Sequence, residues 1–305
     1  MKIVFMGTPD FAASCLDALI RNGQQILSVF TQPDKPKGRG HKLCACETKE
    51  LAMLHGLSVY QPTTLRDGEA YKLLEELAPD MIVVVAYGRI LPENILALPK
   101  YGCINIHGSV LPKYRGSAPI QRSVINGDKT AGVTSMYMAA EMDAGDIIYC
   151  AETEIGEKET SAQLYARLAP LGAELLIKTI HAIEAGNAPR MAQDESLVSF
   201  APPLSKDESP IDWTKDSRSI LKQIYGLQDW PCATAVLGGT EFKIYDADLS
   251  GHQSDAEAGS VLSAGKNGIE VVCGDKNTLL IKELQAAGSK RMSTAAYLLG
   301  HPMEV

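Results

Sequence analysis

Short, almost wholly apolar runs alternate with longer helix-like segments through the first half of the chain. The clearest run is DMIVVVA at 80–86, which suits a strand buried on both faces of a parallel sheet. Further strands are predicted at 2–6, 25–30, 103–107 and 132–138, with helices between them. This alternation predicts the α/β class with a Rossmann-like, doubly wound and mostly parallel sheet. Ligands on such sheets bind beyond the carboxyl ends of the strands.

The second half of the chain has a different pattern. A helix predicted over 160–184 is followed by the proline-rich stretch 187–205, which has little periodicity. Beyond it, short alternating runs separated by glycine indicate a small β-barrel. We therefore expect an α/β domain at 1–186, a linker at 187–205 and a C-terminal domain at 206–305.

Length and composition fit a folded globular protein. Of the 305 residues 45% are hydrophobic and 22% are charged, and no apolar run approaches the ~20 residues of a membrane helix. The N-terminal apolar run is too short for a signal peptide, so we expect a cytoplasmic protein without membrane contact, and a monomer.

The seven cysteines include no C-x-x-C pair. His41, Cys44, Cys46 and His55 lack the paired spacing of zinc sites, so we expect reduced thiols and no metal.

Basic charge is concentrated in one segment, although the formal net charge of the chain is −8. Bulk negative charge argues against nucleic-acid binding, but local distribution matters more. Four basic residues follow the second predicted strand: Lys35, Lys37, Arg39 and Lys42. As a charge run alone, the segment 34–42 would be a solvated loop. Its place at the end of a strand also suits contact with a phosphate backbone.

The first glycine motif, GTPDF at 7–11, follows the opening strand. A dinucleotide-binding turn requires G-x-G-x-x-G at this point, because a second glycine lets the pyrophosphate approach the backbone. Pro9 occupies the place of that glycine. The motif therefore disfavours a dehydrogenase and favours a plain turn between strand and helix.

The most informative block runs from Asn105 to Pro119. Asn105 and His107 are two residues apart on a predicted strand, so their side chains leave the same face near its carboxyl end. A carboxylate, Asp143, lies in a second loop, EMDAGD at 141–146. A carboxylate beside a histidine can fix its tautomer and favour its charged form. The alternative interpretation is a capped strand with a hydrogen-bonded histidine.

Ordered motifs along nearly the whole chain resemble those of the folate-dependent formyltransferases, most closely of the members that act on methionyl-tRNA. The motifs are FMGTPDFA at 5–12, TQPDKPKGRG at 31–40, VVAYGRILP at 84–92, HGSVLP at 107–112, LPKYRGSAPIQ at 111–121 and IDW at 211–213. After Leu43 the chain reads CACETK and departs from the family pattern. The resemblance implies a C-terminal OB-like barrel that binds the tRNA.

The resemblance also implies acyl transfer at a site formed by Asn105, His107 and Asp143. Asn105 and a protonated His107 would donate to the oxyanion that forms when an amine attacks the formyl carbon, and Asp143 would orient His107. The donor would be 10-formyltetrahydrofolate and the acceptor initiator methionyl-tRNA, without a metal. The residues implied in folate binding are Ile90, Leu91, Ser109, Val110, Leu111 and Pro112. Those implied in tRNA binding are Lys35, Lys37, Arg39 and Lys42.

Two other functions stay open at this point. A formyltransferase for a small amine, such as a sugar nucleotide or a purine precursor, would share the three catalytic residues. It would have no use for the basic segment or for a tRNA-binding domain. A catalytically silent nucleotide- or RNA-binding module would keep the fold, but the intact set of Asn105, His107 and Asp143 argues against it.

Overall fold

The computed structural model of the chain describes residues 1–37 and 42–304. Contacts divide the chain into two compact units. The first unit consists of Met1–Pro119, Ala131–Thr153 and Tyr165–Ala201, and the second of Ile120–Thr130, Glu154–Leu164 and Pro202–Val305. The linear division predicted from the sequence differs from this one, because 120–130 and 154–164 belong to the second unit and 187–201, predicted to be part of a linker, belongs to the first.

The first 201 residues contain short strands and helices in alternation. The strands are β1 (Lys2–Gly7), β2 (Gln25–Phe30), β3 (Lys35–Lys37), β4 (Lys42–Cys44), β5 (Val59–Tyr60), β6 (Met81–Val85), β7 (Cys103–His107), β8 (Arg115–Gly116), β9 (Thr130–Tyr137), β10 (Ile147–Glu154) and β11 (Phe200–Ala201). The helices are α1 (Asp10–Arg21), α2 (Glu47–Leu54), α3 (Glu69–Leu77), α4 (Glu93–Leu96), α5 (Pro119–Asn126) and α6 (Ser161–Glu184).

The main sheet of the first unit has the strand order β10-β9-β7-β6-β1-β2-β5. From β5 to β7 the neighbouring strands are parallel, and β9 runs antiparallel to β7. Every residue of β6 and β7 is buried, as their apolar runs require of central strands. The α/β class and the mostly parallel sheet are therefore confirmed, and the carboxyl ends of β2, β6 and β7 lie at one edge.

Two smaller strand pairs lie outside the main sheet. β8 and β11 pair in parallel, with Arg115 opposite Phe200. β3 and β4 pair antiparallel, with Lys35 opposite Cys44 and Lys37 opposite Lys42. The sequence predicted a loop over 34–42, and this was wrong for both ends of the segment, where the backbones hydrogen-bond to each other.

The C-terminal stretch of the second unit forms an antiparallel sheet. Its strands are β12 (Ala233–Leu237), β13 (Thr240–Gln253), β14 (Val261–Gly265), β15 (Gly268–Val272), β16 (Asn277–Ala286) and β17 (Met292–Ser293). They pair in the order β12-β13-β16-β15-β14, with β17 beside β16. Two helices accompany them, α7 (Ser217–Gly226) and α8 (Thr294–Gly300). A separate C-terminal β-rich part is therefore confirmed. In the part of the chain that the structure describes, no helix has the length and apolar character needed to cross a membrane.

Candidate active site

Asn105 and His107 lie on β7, at the centre of the main sheet. Asn105 is paired with Val84 of β6 on one side and with Met136 of β9 on the other. Both side chains are almost fully buried, at 9% and 6% exposure. Because pairing on both sides fixes the backbone of β7, these two side chains start from rigid positions on one face of the strand.

A hydrogen bond at Nε2 holds the ring of His107. Nε2 lies 2.9 Å from the backbone oxygen of Tyr114, which can only accept a hydrogen bond. Nε2 therefore carries a hydrogen, and this contact fixes the orientation of the ring. The other nitrogen, Nδ1, lies 3.7 Å from Oδ2 of Asp143. Nδ1 is thus the nitrogen that is available to exchange a proton beside a carboxylate.

Asp143 reaches His107 from the loop between β9 and β10. Its Oδ2 accepts a hydrogen bond from the backbone N–H of Gly116 at 2.9 Å. The distance of 3.7 Å between this oxygen and Nδ1 of His107 is longer than a direct hydrogen bond. Asp143 has a φ of 51°, in the left-handed region that residues with a side chain rarely adopt. The structure thus brings together a carboxylate and an imidazole that are 36 positions apart in the chain (143 − 107).

Two glycines permit the close approaches around Asp143. A Cβ at Gly116 would lie 2.7 Å from the backbone oxygen of Ala201, and Gly116 has a φ of 122°. A Cβ at Gly145 would lie 1.8 Å from the backbone oxygen of Tyr137. Only glycine fits at these two positions without movement of the backbone, because both obstacles are main-chain atoms.

Asn105 differs from His107 and Asp143 in that its side-chain amide has no hydrogen-bond partner among the described residues. No hydrogen bond joins this amide to any residue of 1–37 or 42–304. A nearly buried amide without a partner is costly unless a ligand or water satisfies it. The arrangement can therefore offer an N–H donor to a carbonyl oxygen that is bound next to His107.

Of the residues predicted to bind folate, two follow β6. Ile90 is 59% exposed, so its apolar side chain is available to a ligand. Leu91 is 3% exposed and packs in the hydrophobic core with Tyr87 and Ile95. The side chain of Leu91 therefore serves packing.

The other four predicted folate residues follow β7. Leu111 is buried in a cluster with Met136 and Ile147. Ser109 is also buried, and its hydroxyl donates to the backbone oxygen of Lys113 at 2.6 Å. Val110 and Pro112 are half-buried. The side chains of Ser109 and Leu111 thus stabilise the loop after β7, and those of Val110 and Pro112 are partly open to solvent.

The basic segment is anchored at its base. Nζ of Lys49 contacts Asp34 at 2.7 Å and Oε1 of Gln61 at 2.7 Å. Hydrogen bonds from Lys49 and then from Gln61 lower the pKa of the Asp34 carboxyl below its usual value. Lys35 is exposed on β3, and the backbones of Lys37 and Lys42 are partners in the hairpin register. Arg39, predicted to contact tRNA, lies outside the described residues.

Metal-binding side chains do not gather in the described ranges of the chain. Across 1–37 and 42–304, no group of three or more His, Cys, Asp and Glu residues is placed to hold a metal ion. Cys44 and Cys46 are half-buried, and neither forms a disulfide in the described ranges.

Sequence reasoning missed the residues that hold the loop of Asp143. Gln193 donates hydrogen bonds to the backbone oxygens of Asp143 and Gly145. Gln193 in turn accepts from Arg115, which also pairs with Glu195. Gln193 and Glu195 belong to the stretch predicted to be a linker, and neither residue is part of a recognisable motif.

Comparison with known proteins places both parts of the chain in one family. The model of the formyl transferase family matches residues 1–180, and that of the formyl transferase C-terminal domain matches residues 203–302. A methionyl-tRNA formyltransferase from Alkaliphilus oremlandii is 46% identical over 100% of this chain and 98% of its own. One from Moorella thermoacetica is 46% identical over 99% and 97%, and one from Trichlorobacter lovleyi 44% over 99% and 95%.

Solved structures share the fold at lower identity. An N-formyltransferase from Helicobacter canadensis, in complex with folinic acid and dTDP-3-aminofucose, superposes with a TM-score of 0.68 at 19% identity over 94% of this chain and 99% of that one. HypX from Aquifex aeolicus, in complex with tetrahydrofolic acid, gives 0.65 at 18% identity over 98% of this chain and 47% of that one. At this level of identity the likeness concerns the fold alone.

Proposed function

The chain belongs to the formyltransferase family, and on that premise we propose that it transfers a formyl group from 10-formyltetrahydrofolate to the α-amino group of initiator methionyl-tRNA. This reaction supports translation initiation. Near-complete coverage at 44–46% identity by proteins named methionyl-tRNA formyltransferases supports the tRNA substrate. The observation on which the chemistry depends is the meeting of His107 and Asp143 beside the unpartnered amide of Asn105.

Asn105 acts on the oxygen of the formyl group. When an amine attacks this carbonyl, negative charge develops on its oxygen, and a preorganised N–H donor stabilises that charge. The Asn105 amide needs no rearrangement for this role, because it does not have to break a hydrogen bond to another protein group before it donates. A single donor of this kind contributes about 2.7–4 kcal/mol, which corresponds to roughly 10²–10³ in rate.

His107 and Asp143 act on the proton of the attacking amine. The α-amine has a pKa near ~8, so roughly a tenth of it is neutral at pH 7 and able to attack, and the protein need not supply a nucleophile. Nδ1 of His107 receives the proton that the amine loses, directly or through one water, and would return it to the folate nitrogen as the bond between that nitrogen and the formyl carbon breaks. Asp143, at 3.7 Å, stabilises the imidazolium that results, while Tyr114 holds Nε2 on the far side of the ring.

The formyl donor is a folate-type compound that supplies the activated formyl group when bound. The residues of this chain fit such a compound, because an exposed apolar side chain, Ile90, follows the strand next to Asn105 and His107. Ile90 would supply apolar surface to the ring of such a compound, and Asn105 would donate to the oxygen of its formyl group. Val110 and Pro112, which are half-buried, supply further apolar surface from the loop after β7. Leu91, Ser109 and Leu111 stabilise the two segments that carry these residues, through packing and an internal hydrogen bond.

The basic segment contacts the phosphates at the acceptor end of the tRNA. Lys35, Lys37, Arg39 and Lys42 follow β2, whose carboxyl end lies at the same sheet edge as that of β7. Lys49 does not count among these cations because Asp34 engages it. A contact of this type positions the substrate and makes binding salt-dependent.

The test is formyl transfer by the purified full chain. Labelled formyl from 10-formyltetrahydrofolate is offered to charged initiator tRNA, charged elongator tRNA, free methionine and a dTDP-amino sugar. We expect label on methionyl-tRNA at a kcat/KM at least about 10³ above that for the small amines, because remote contacts with the tRNA contribute to the transition state. Transfer to the sugar alone would overturn the proposed substrate, and no transfer to any acceptor would overturn the enzyme assignment.

A further inference from the structure

Residues 191–201, which we call the strap, join the two loops that form the catalytic site. At one end the backbones of Met191 and Ile147 exchange two hydrogen bonds, of 2.8 and 3.0 Å, beside the loop of Asp143. At the other end the backbone N–H of Arg115 donates to Ser199 at 2.9 Å, in the loop that follows His107. A stretch predicted to be a linker is therefore built into the site.

Gln193 uses its whole hydrogen-bonding capacity in the middle of the strap. Its Nε2 donates to the backbone oxygens of Asp143 at 2.7 Å and Gly145 at 2.8 Å. Its Oε1 accepts from Nε and Nη2 of Arg115 at 3.0 and 2.9 Å. A glutamine amide has two donor hydrogens and two acceptor lone pairs, so no capacity is left over.

Arg115 determines which way the Gln193 amide faces. The Arg115 side chain is 2% exposed, and its Nη2 also contacts Oε1 of Glu195 at 2.8 Å. A guanidinium has only donors, so the oxygen of the Gln193 amide must face Arg115 and the nitrogen must face the loop of Asp143. The Arg115 guanidinium thus ensures that Gln193 donates, rather than accepts, in its contacts with the loop of Asp143.

The backbone of Asp143 needs such support. Its φ of 51° is one that L-residues with side chains rarely adopt, and a conformation of this kind persists only where the surroundings over-determine it. The carbonyl that Gln193 holds belongs to Asp143 itself. A shift of this carbonyl would move the carboxylate away from Nδ1 of His107.

We propose that Gln193 is a positioning residue for formyl transfer, which acts by holding the Asp143 carboxylate against His107. The inference rests on the proposed function, in which Asp143 assists the proton transfer. Protein groups occupy the whole hydrogen-bonding capacity of Gln193, so its effect on the reaction passes through the loop of Asp143. Misplacement of a catalytic group by ~1 Å can cost about 10² in rate, which sets the scale of the expected effect.

The test compares two variants of Gln193 with a matched control in the full chain. Gln193→Met keeps the length of the side chain and removes all four hydrogen bonds, and Gln193→Glu keeps the contact with Arg115 but sets a carboxylate against the two carbonyls. The control is Gln223→Met, because the half-buried Gln223 also donates to two backbone oxygens, of Glu208 and Pro210, in the second unit. We expect kcat to fall roughly 10- to 100-fold in both Gln193 variants, with KM for both substrates within about 3-fold and an unchanged kcat in the control.

A double-mutant cycle separates positioning from a general structural effect. If Gln193 acts through Asp143, then Gln193→Met lowers the single-turnover rate of wild type but has almost no further effect in an Asp143→Asn background. Fully additive losses, a loss confined to KM, or a kcat unchanged in both Gln193 variants would each overturn the inference.

Hydrogen exchange keeps the inference testable if the proposed function fails. Amide exchange in peptides covering 138–147 should be faster in Gln193→Met than in the parent, without a matching change in the Gln223→Met protein. Should the parent not formylate methionyl-tRNA, the proposed function is wrong while faster exchange still supports the role of Gln193 in holding this loop. Unchanged exchange would overturn that role whatever the activity.

Discussion

Replacement of Asn105 by alanine tests the proposed chemistry most directly. The Asn105 amide is 9% exposed and has no hydrogen-bond partner in 1–37 or 42–304, so its removal leaves no protein group unsatisfied. Removal of a buried polar side chain is most destabilising when it leaves its hydrogen-bond partner unsatisfied, and Asn105 has no such partner among the described residues. We therefore expect Asn105→Ala to lower the free energy of unfolding by only about 1 kcal/mol or less.

The effect on catalysis should be far larger than the effect on stability. Loss of one donor to a developing oxyanion costs about 2.7–4 kcal/mol of transition-state stabilisation, or a fall in kcat of roughly 10²–10³. Asn105→Asp should lose more than Asn105→Ala, because a carboxylate replaces the donor with a charge of the same sign as the oxyanion. The KM values should change little, since the donor acts mainly in the transition state.

The assay is single-turnover formyl transfer at saturating folate and methionyl-tRNA, with the thermal midpoint measured on the same samples. Asn187→Ala is the control, because Asn187 is an exposed asparagine just after α6. A fall in kcat of less than about 5-fold in Asn105→Ala, with a folded protein, would refute the donor role. A faster rate for Asn105→Asp than for Asn105→Ala would refute it as well.

The remaining predictions concern a charge, a tRNA contact and an ion pair. Asp143→Asn keeps the shape of the side chain but cannot stabilise a charged His107, so kcat should fall roughly 10²- to 10⁴-fold at unchanged KM, and steady-state kinetics showing a normal kcat would contradict this. Arg39→Ala should raise KM for methionyl-tRNA about 10-fold and flatten its salt dependence while KM for folate stays constant, whereas an unaltered kcat/KM would contradict the phosphate contact. Hydrogen bonds from Arg122 lower the pKa of Glu208, so this pair stabilises the fold above the ordinary carboxyl pKa of ~4.3 and loses its effect as pH falls through the lowered value. Urea unfolding of Glu208→Gln should therefore show a deficit of up to about 1 kcal/mol at pH 7 that shrinks progressively as the pH falls below the ordinary carboxyl pKa of ~4.3, and a deficit independent of pH would disprove the linkage.

The part of the site that the sequence predicted is the part encoded locally. Asn105 and His107 could be placed on one face at a strand end because the apolar run 103–107 determines strand, alternation and burial together. The meeting of Asp143 with His107 came from the family resemblance, since no local pattern relates a loop to a strand on the other side of β9.

The support of Asp143 could not be predicted at all. Gln193 lies 50 positions from the backbone that it holds, in a stretch with little periodicity, and a glutamine has no preference that marks it as a partner of carbonyls.

The predicted folate residues show a second limit of prediction from the sequence. Ile90 and Leu91 are adjacent and equally apolar, and only the packing of the core decides that the first is exposed and the second is buried.

The strap determines where this protein can be taken apart. A truncation or domain exchange made at the end of α6, where the helix stops after Glu184, would keep Asn105, His107 and Asp143 but discard Gln193. A junction placed after Ala201 would retain every bond from the strap to the two catalytic loops. A junction after Ala201 therefore preserves the support of Asp143, whereas a chimera spliced at the end of α6 would receive all three reactive groups with Asp143 left unanchored.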